Sequence, residues 1–366
     1  MENPKRKRII FLDMMRAFAV LMMVQGHTID AFLGDSYRNF DSVPFNIWFM
    51  MRGFTAPIFM FTSGVVFTYL LRLNKETFFY NPRVKKGFMR FLTLIVIGYL
   101  LRYPTYTFFN FATVSREQWY VFFTVDALHL IGFGLLFILI LAFIAERLKI
   151  KDWVIFGCGA LFFFMIAPYM GSINWTNYLP VPFAAYFYNG TGSFFPFFPW
   201  AGYVISGAIL GSYLAHHQDS LATKGFSLKL LYTGLGMLLL ALATELIEYF
   251  YTGTTIWTDN LYLISLRVGW VLVLNSIMSL IALKLDSIPE IVKQVGRHTL
   301  LIYAVHVVII YGSAWLPGFD RILHKQLSIF ESVGSAIIMI ILMIGMVVFL
   351  ERMKLIRKNK LAQVEI

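Results

Sequence analysis

The chain has 366 residues, 58% of them hydrophobic and 17% aromatic, with 14% charged and a formal net charge of +11. A soluble chain carries about 25% charged residues, so this composition, with a mean hydropathy of +0.69, excludes a soluble globular domain and fits repeated passage through lipid. The positive charge lies in short segments between apolar runs, as the positive-inside rule expects, and nucleic acid is excluded as a partner.

The chain begins MENPKRKR and continues into an apolar run, which resembles a secretion signal. Asp13 and Arg16 interrupt that run and no small-residue cleavage site follows, so the segment reads as a retained first helix. Ile9–Ala31 is long enough to span a bilayer yet carries Asp13, Arg16, His27 and Asp30. A charge at the centre of a spanning helix costs about 2.5–3.5 kcal/mol, so these groups are expected to face a protein interior or a wet cavity. Helical geometry puts Arg16 and His27 on one face, roughly 16 Å apart.

Further apolar runs follow at 45–71, 87–102, 119–145, 153–168, 195–215, 228–251, 261–283, 299–315 and 329–350. The sequence therefore predicts an all-α polytopic membrane protein of about ten transmembrane helices, with both termini cytoplasmic and residues 1–366 forming one domain. That orientation puts roughly 23 of the 31 Lys and Arg residues on the cytoplasmic side. The outer loop between Tyr169 and Phe194 has no charge but carries Trp175, Tyr178, Tyr186 and Tyr188, which suit an interfacial belt or a sugar-stacking surface. The lone Cys158 supports neither an intramolecular disulfide nor a Cys-rich metal site.

Counting rise along each predicted helix places His27, Asp30, Arg52, Asp126, His129, Glu245, Glu248 and Arg267 at similar depth, with His306 nearer the middle. Charges of both signs at one level predict a polar chamber open outward. A purely structural reading pairs Arg52 and Arg267 with Asp126 and with Glu245 or Glu248. His129 and His306 read first as hydrogen-bonded core residues and second as ligand contacts. His27 reads as a base, because an imidazole with a pKa near 6.5 accepts protons at neutral pH. No H-x-x-x-H or H-E-x-x-H spacing supports a metal site. Arg83, Lys85, Lys86 and Arg90 cluster where a helix begins and suit the phosphates of a nucleotide-like donor.

The stretches FLDMMRAFAVLMMVQGH, RGFTAPIFMFTSG, VDALHLIGFGLL, FFPFFPWAGYVISGAILG and VGRHTLLIYAVH occur in that order. Together they resemble the integral-membrane acyltransferases of the acyltransferase-3 group and the related heparan-α-glucosaminide N-acetyltransferase-like proteins. The sequence departs from that pattern at Ala17, where glycine is common, and at KKGFMR, where a tighter arginine pair is usual. The resemblance implies transfer of an acyl group, commonly acetyl, from cytoplasmic acetyl-CoA to a hydroxyl or amine of an extracytoplasmic sugar or glycan. His27 matches the family histidine, Arg16 its paired arginine and Asp13 the preceding acid. The expected catalytic groups are then His27, Asp30, Arg52 and Arg267, with Arg16, Arg83, Lys85, Lys86 and Arg90 binding the donor. Asp126, His129, Glu245, Trp175 and His306 are expected to line the acceptor site, with no metal. The expected setting is a bacterial plasma membrane, with a homodimer as one form of assembly. The competing expectation is a transporter or flippase for a glycan or lipid intermediate, using the same buried charges as a pathway.

Overall fold

The computed structural model describes residues 9–220, 223–251, 258–285 and 287–364, without the side chains of residues 220, 248, 249, 251, 258–260, 358 and 360–364. The basic run MENPKRKR and the Glu248 side chain lie outside the described residues. Among the described residues there are fifteen α-helices and no strand. In order they are α1 (Ile10–Phe32), α2 (Val43–Arg72), α3 (Pro82–Leu101), α4 (Arg116–Phe123), α5 (Ala127–Leu148), α6 (Asp152–Met165), α7 (Ala167–Ser172) and α8 (Val181–Ala184). They continue as α9 (Phe197–His216), α10 (Lys224–Tyr251), α11 (Thr258–Ala282), α12 (Glu290–Arg297), α13 (Thr299–Tyr311), α14 (Asp320–Leu323) and α15 (Ile329–Val364).

Among the described residues, eight helical stretches are long and apolar enough to cross a membrane, and the pair α12 and α13, bent by 73°, makes a ninth if it counts as one span. The chain is thus an all-α multi-pass membrane protein. Each predicted apolar run contains a helix, with two corrections. The run 119–145 is broken between α4 and α5, because the Asp126 side chain caps α5 by accepting from the Leu128 and His129 N–H groups. The α3 helix is not among the eight candidate spans, since its first turns hold Arg83, Lys85, Lys86 and Arg90.

The chain divides into two compact units, the first made of residues up to Thr55 and from Lys284 onward, the second of Ala56–Leu283. In the first unit, Ala17, Val20, Val24 and Ala31 form one apolar face of α1. This face packs with Val295 of α12, Ile302 and Ile310 of α13 and Met339, Met343 and Val347 of α15. Backbone bonds pin the end of α1 to the segment before α15: Gly34 N–H donates to Leu327 O at 2.9 Å and Leu327 N–H to Phe32 O at 2.9 Å. The α12 backbone closes on α1 at Gly296, which faces the Asp13 carbonyl.

The second unit is organised around α2, α5, α6 and α9. Arg72 forms a two-point ion pair with Asp152 at 2.6 and 2.7 Å, and Ser212 donates to the same carboxylate at 2.8 Å, tying α2, α6 and α9 together. Helices α2 and α9 touch backbone to backbone where small residues permit it. A Cβ on Gly207 would run into the Phe61 carbonyl oxygen, and one on Gly64 into that of Val204. Gly207→Ala should therefore lower stability by about 1–3 kcal/mol, read from the thermal unfolding midpoint in detergent. Gly236→Ala, with nothing within 4 Å of an added Cβ, should leave it unchanged; equal losses at the two positions would contradict this packing.

Candidate functional site

In the first unit the site grows out of α1. His27 is half-buried on that helix, and its Nδ1 lies 3.0 Å from Nε2 of His306 on α13. The two rings stack at 5.2 Å, and Tyr311 meets His27 edge-on at 6.1 Å. His306 is fully buried, and its Nδ1 lies 2.8 Å from the carbonyl of Ile302, one turn back in its own helix. A carbonyl only accepts, so His306 Nδ1 carries the proton and its Nε2, in the neutral ring, is the acceptor. His27 must then donate from Nδ1. These partners assign the neutral His27 an unprotonated Nε2, with its lone pair turned away from His306.

Asp30 lies one turn beyond His27 and so shares its face of α1. Its carboxylate pairs with Arg52 of α2 and with Arg38 Nη1 at 3.2 Å. Arg38 also donates to the backbone carbonyls of Asp30 and Leu33, locking the chain where it leaves α1. The Arg52 side chain runs along Gly26, whose missing Cβ leaves it room, and its guanidinium lies 5.6 Å from the Trp48 ring and 5.1 Å from Phe49. Arg52 therefore takes Asp30, not Asp126, as its acid. Sequence reading missed Arg38; its one signal was an isolated outer-loop arginine shortly after Asp30. Asp13 is buried low on α1, and Arg16 is half-buried one turn further on.

The second unit holds a separate polar cluster. His129 Nδ1 and an Asp126 oxygen are 2.9 Å apart, and Arg102 Nε approaches the other Asp126 oxygen at 3.5 Å. Tyr99 meets the His129 ring edge-on at 4.4 Å and shares a 2.9 Å hydroxyl bond with Tyr186. Gly98 leaves the space that the His129 ring fills, and His129 Nε2 is buried without a hydrogen-bond partner. Arg102 and Tyr99 were not singled out from sequence, because the predicted unbroken helix hid the Asp126 cap that gathers them.

The remaining candidates are scattered. Arg267 lies over the Trp200 ring at 5.0 Å in the second unit. Glu245 is exposed on α10. Trp175 donates its indole N–H to Met170 O at 3.0 Å and packs against Phe187. Arg83, Lys85, Lys86 and Arg90 line the first turns of α3 in the second unit, whereas Arg16 belongs to the first. No group of three His, Cys, Asp or Glu residues among the described residues is arranged to hold a metal ion.

Removing Asp126 would strand a buried histidine N–H and the Arg102 guanidinium. Asp126→Ala should therefore cost about 3 kcal/mol, near the lower end for a buried ion pair because Arg102 is partly exposed. Thermal unfolding of the purified protein measures it, and a loss no greater than that of an exposed-surface substitution would contradict the pairing.

Residues 8–250 match the sequence model of the family described as heparan-alpha-glucosaminide N-acetyltransferase, catalytic. No curated protein and no solved structure gives a significant match. The matched segment runs from the start of α1 into α10, so it includes His27, Asp30, Arg52 and the Asp126–His129 cluster and ends before Arg267 and His306. It covers about two thirds of the chain, and the chain belongs to the heparan-α-glucosaminide N-acetyltransferase catalytic family.

Proposed function

We propose that this membrane protein transfers an acyl group, acetyl by family, from a cytoplasmic acyl-CoA to a hydroxyl or amine of an extracytoplasmic sugar or glycan, in the plasma membrane of a bacterium and with both termini cytoplasmic. The observation that carries the reading is the hydrogen-bond chain from Ile302 O through His306 to His27 in a member of an acetyltransferase family. It supports a His27 whose Nε2 is the basic nitrogen, held ready for proton transfer.

In the reaction, His27 Nε2 takes the proton of the acceptor O–H as that oxygen attacks the thioester carbonyl carbon. The tetrahedral intermediate collapses with cleavage of the C–S bond, and the proton passes to the departing CoA thiolate. Arg52, held in place by Asp30 and laid along Gly26 beside His27, supplies positive charge for the oxyanion. A two-step course, with the acyl group resting on His27 Nε2 before the acceptor takes it, uses the same nitrogen. Within the first unit Arg16 on α1 is the proposed contact for the donor's phosphates, and the basic first turns of α3, in the second unit, are a separate candidate for the same role.

Purified protein in nanodiscs should bind acetyl-CoA saturably and release free CoA, and His27→Ala should lower turnover by about 10²–10⁴-fold while remaining folded. His306→Gln, which restores an acceptor opposite His27 Nδ1, should retain more activity than His306→Leu, which removes it. Absence of binding by any acyl-CoA would defeat the donor assignment and favour a transporter of glycan or lipid intermediates.

A further inference from the structure

Arg267 stands apart from the other arginines whose pairing the second unit shows. It lies within a candidate span of α11, where an unpaired charge is costly. Arg72 has Asp152 at 2.6 Å and Arg102 has Asp126 at 3.5 Å. Among the described residues Arg267 forms no ion pair, and its polar neighbour is the Tyr203 hydroxyl. Its guanidinium is instead set over the Trp200 ring at 5.0 Å. Trp200 is held by Phe195, edge-on at 4.8 Å, and by Tyr203 at 5.7 Å. The Tyr203 hydroxyl lies beside the Arg267 guanidinium, in a residue that is 0% exposed.

A ring face attracts the charge of a guanidinium, but it does not accept the planar fork of N–H groups. Those donors need paired oxygens in one plane, which is the geometry of a carboxylate or phosphate. The Tyr203 hydroxyl adds a donor at the same place. We infer that Arg267, Trp200 and Tyr203 form a binding site for a bidentate oxyanion, a carboxylate or phosphate, presented by an acidic sugar or by a lipid headgroup. The aromatic surround suits either carrier, since sugar rings and acyl chains both rest on apolar faces. This site belongs to the second unit alone and does not depend on the catalytic role of His27.

The test uses the full chain in a neutral maltoside detergent. Tryptophan emission of wild type, minus that of Trp200→Phe, is followed during addition of methyl β-glucuronide, methyl β-glucoside, or phosphatidylglycerol against diacylglycerol. The proposal expects a saturable change with the acidic sugar or the anionic lipid and none with its neutral counterpart; which of the two acts identifies the carrier. Affinity should fall at least tenfold in Arg267→Gln and less in Arg267→Lys, which keeps the charge without the fork. Unfolding midpoints confirm that both variants fold, and should either fail to, chemical-shift perturbation of ¹⁵N-arginine-labelled wild type gives the same reading. Equal responses to charged and neutral probes, or undiminished binding in a folded Arg267→Gln, would overturn it.

Discussion

The hydrogen bond between two imidazoles is the constraint on which the proposed chemistry depends. His306 cannot choose its tautomer, because the Ile302 carbonyl, fixed by α13, requires a proton on Nδ1. His27 inherits the consequence and donates from its own Nδ1. The relation between α1 and α13 is in turn set by packing: Val20 and Val24 on one side, Ile302 and Ile310 on the other, with the backbone clamp between Phe32, Gly34 and Leu327 at the end of α1. Apolar burial thus determines which nitrogen of a half-buried histidine is basic. A carboxylate partner would fix the same tautomer, but at the cost of placing a negative charge in an apolar core.

Charge elsewhere is managed by a few local devices. Asp126 sits at a helix start, where unpaired backbone N–H groups favour a carboxylate, and the same residue serves His129 and Arg102. Arg72 is tied to Asp152 and, through it, to Ser212. Asp30 draws in two arginines, one from the loop and one from α2. Each acid thereby connects elements distant in sequence. Arg267 is managed differently, resting on the Trp200 ring in place of an acid.

The sequence made the spans legible because lipid demands long apolar stretches, and charges that interrupt such stretches are few enough to single out. His27 and Asp30 were visible for that reason. Their partners were not: helical periodicity says which residues share a face of α1 but not which helix comes to it, so Arg52 was expected beside Asp126 and instead meets Asp30. The α4–α5 break was hidden because Thr124, Val125 and Asp126 sit between apolar segments with no glycine or proline to mark a turn. His306 carried the expected pattern of a buried core histidine, and it is one; that its buried bond reaches His27 depends on how α13 is set against α1, which no local pattern encodes. Trp175 was a candidate by residue type and Glu245 by its depth along the helix, and among the described residues neither is drawn into a polar cluster.

The central claim, that His27 holds its proton on Nδ1 and its lone pair on Nε2, is tested most directly by ¹⁵N NMR of histidine-labelled protein. The His27 signals are assigned by their loss in His27→Gln. At a pH where His27 is neutral, the account predicts a protonated Nδ1 and an unprotonated Nε2, with that preference weakened in His306→Leu. A neutral His27 protonated on Nε2, or a tautomer indifferent to His306, would contradict it.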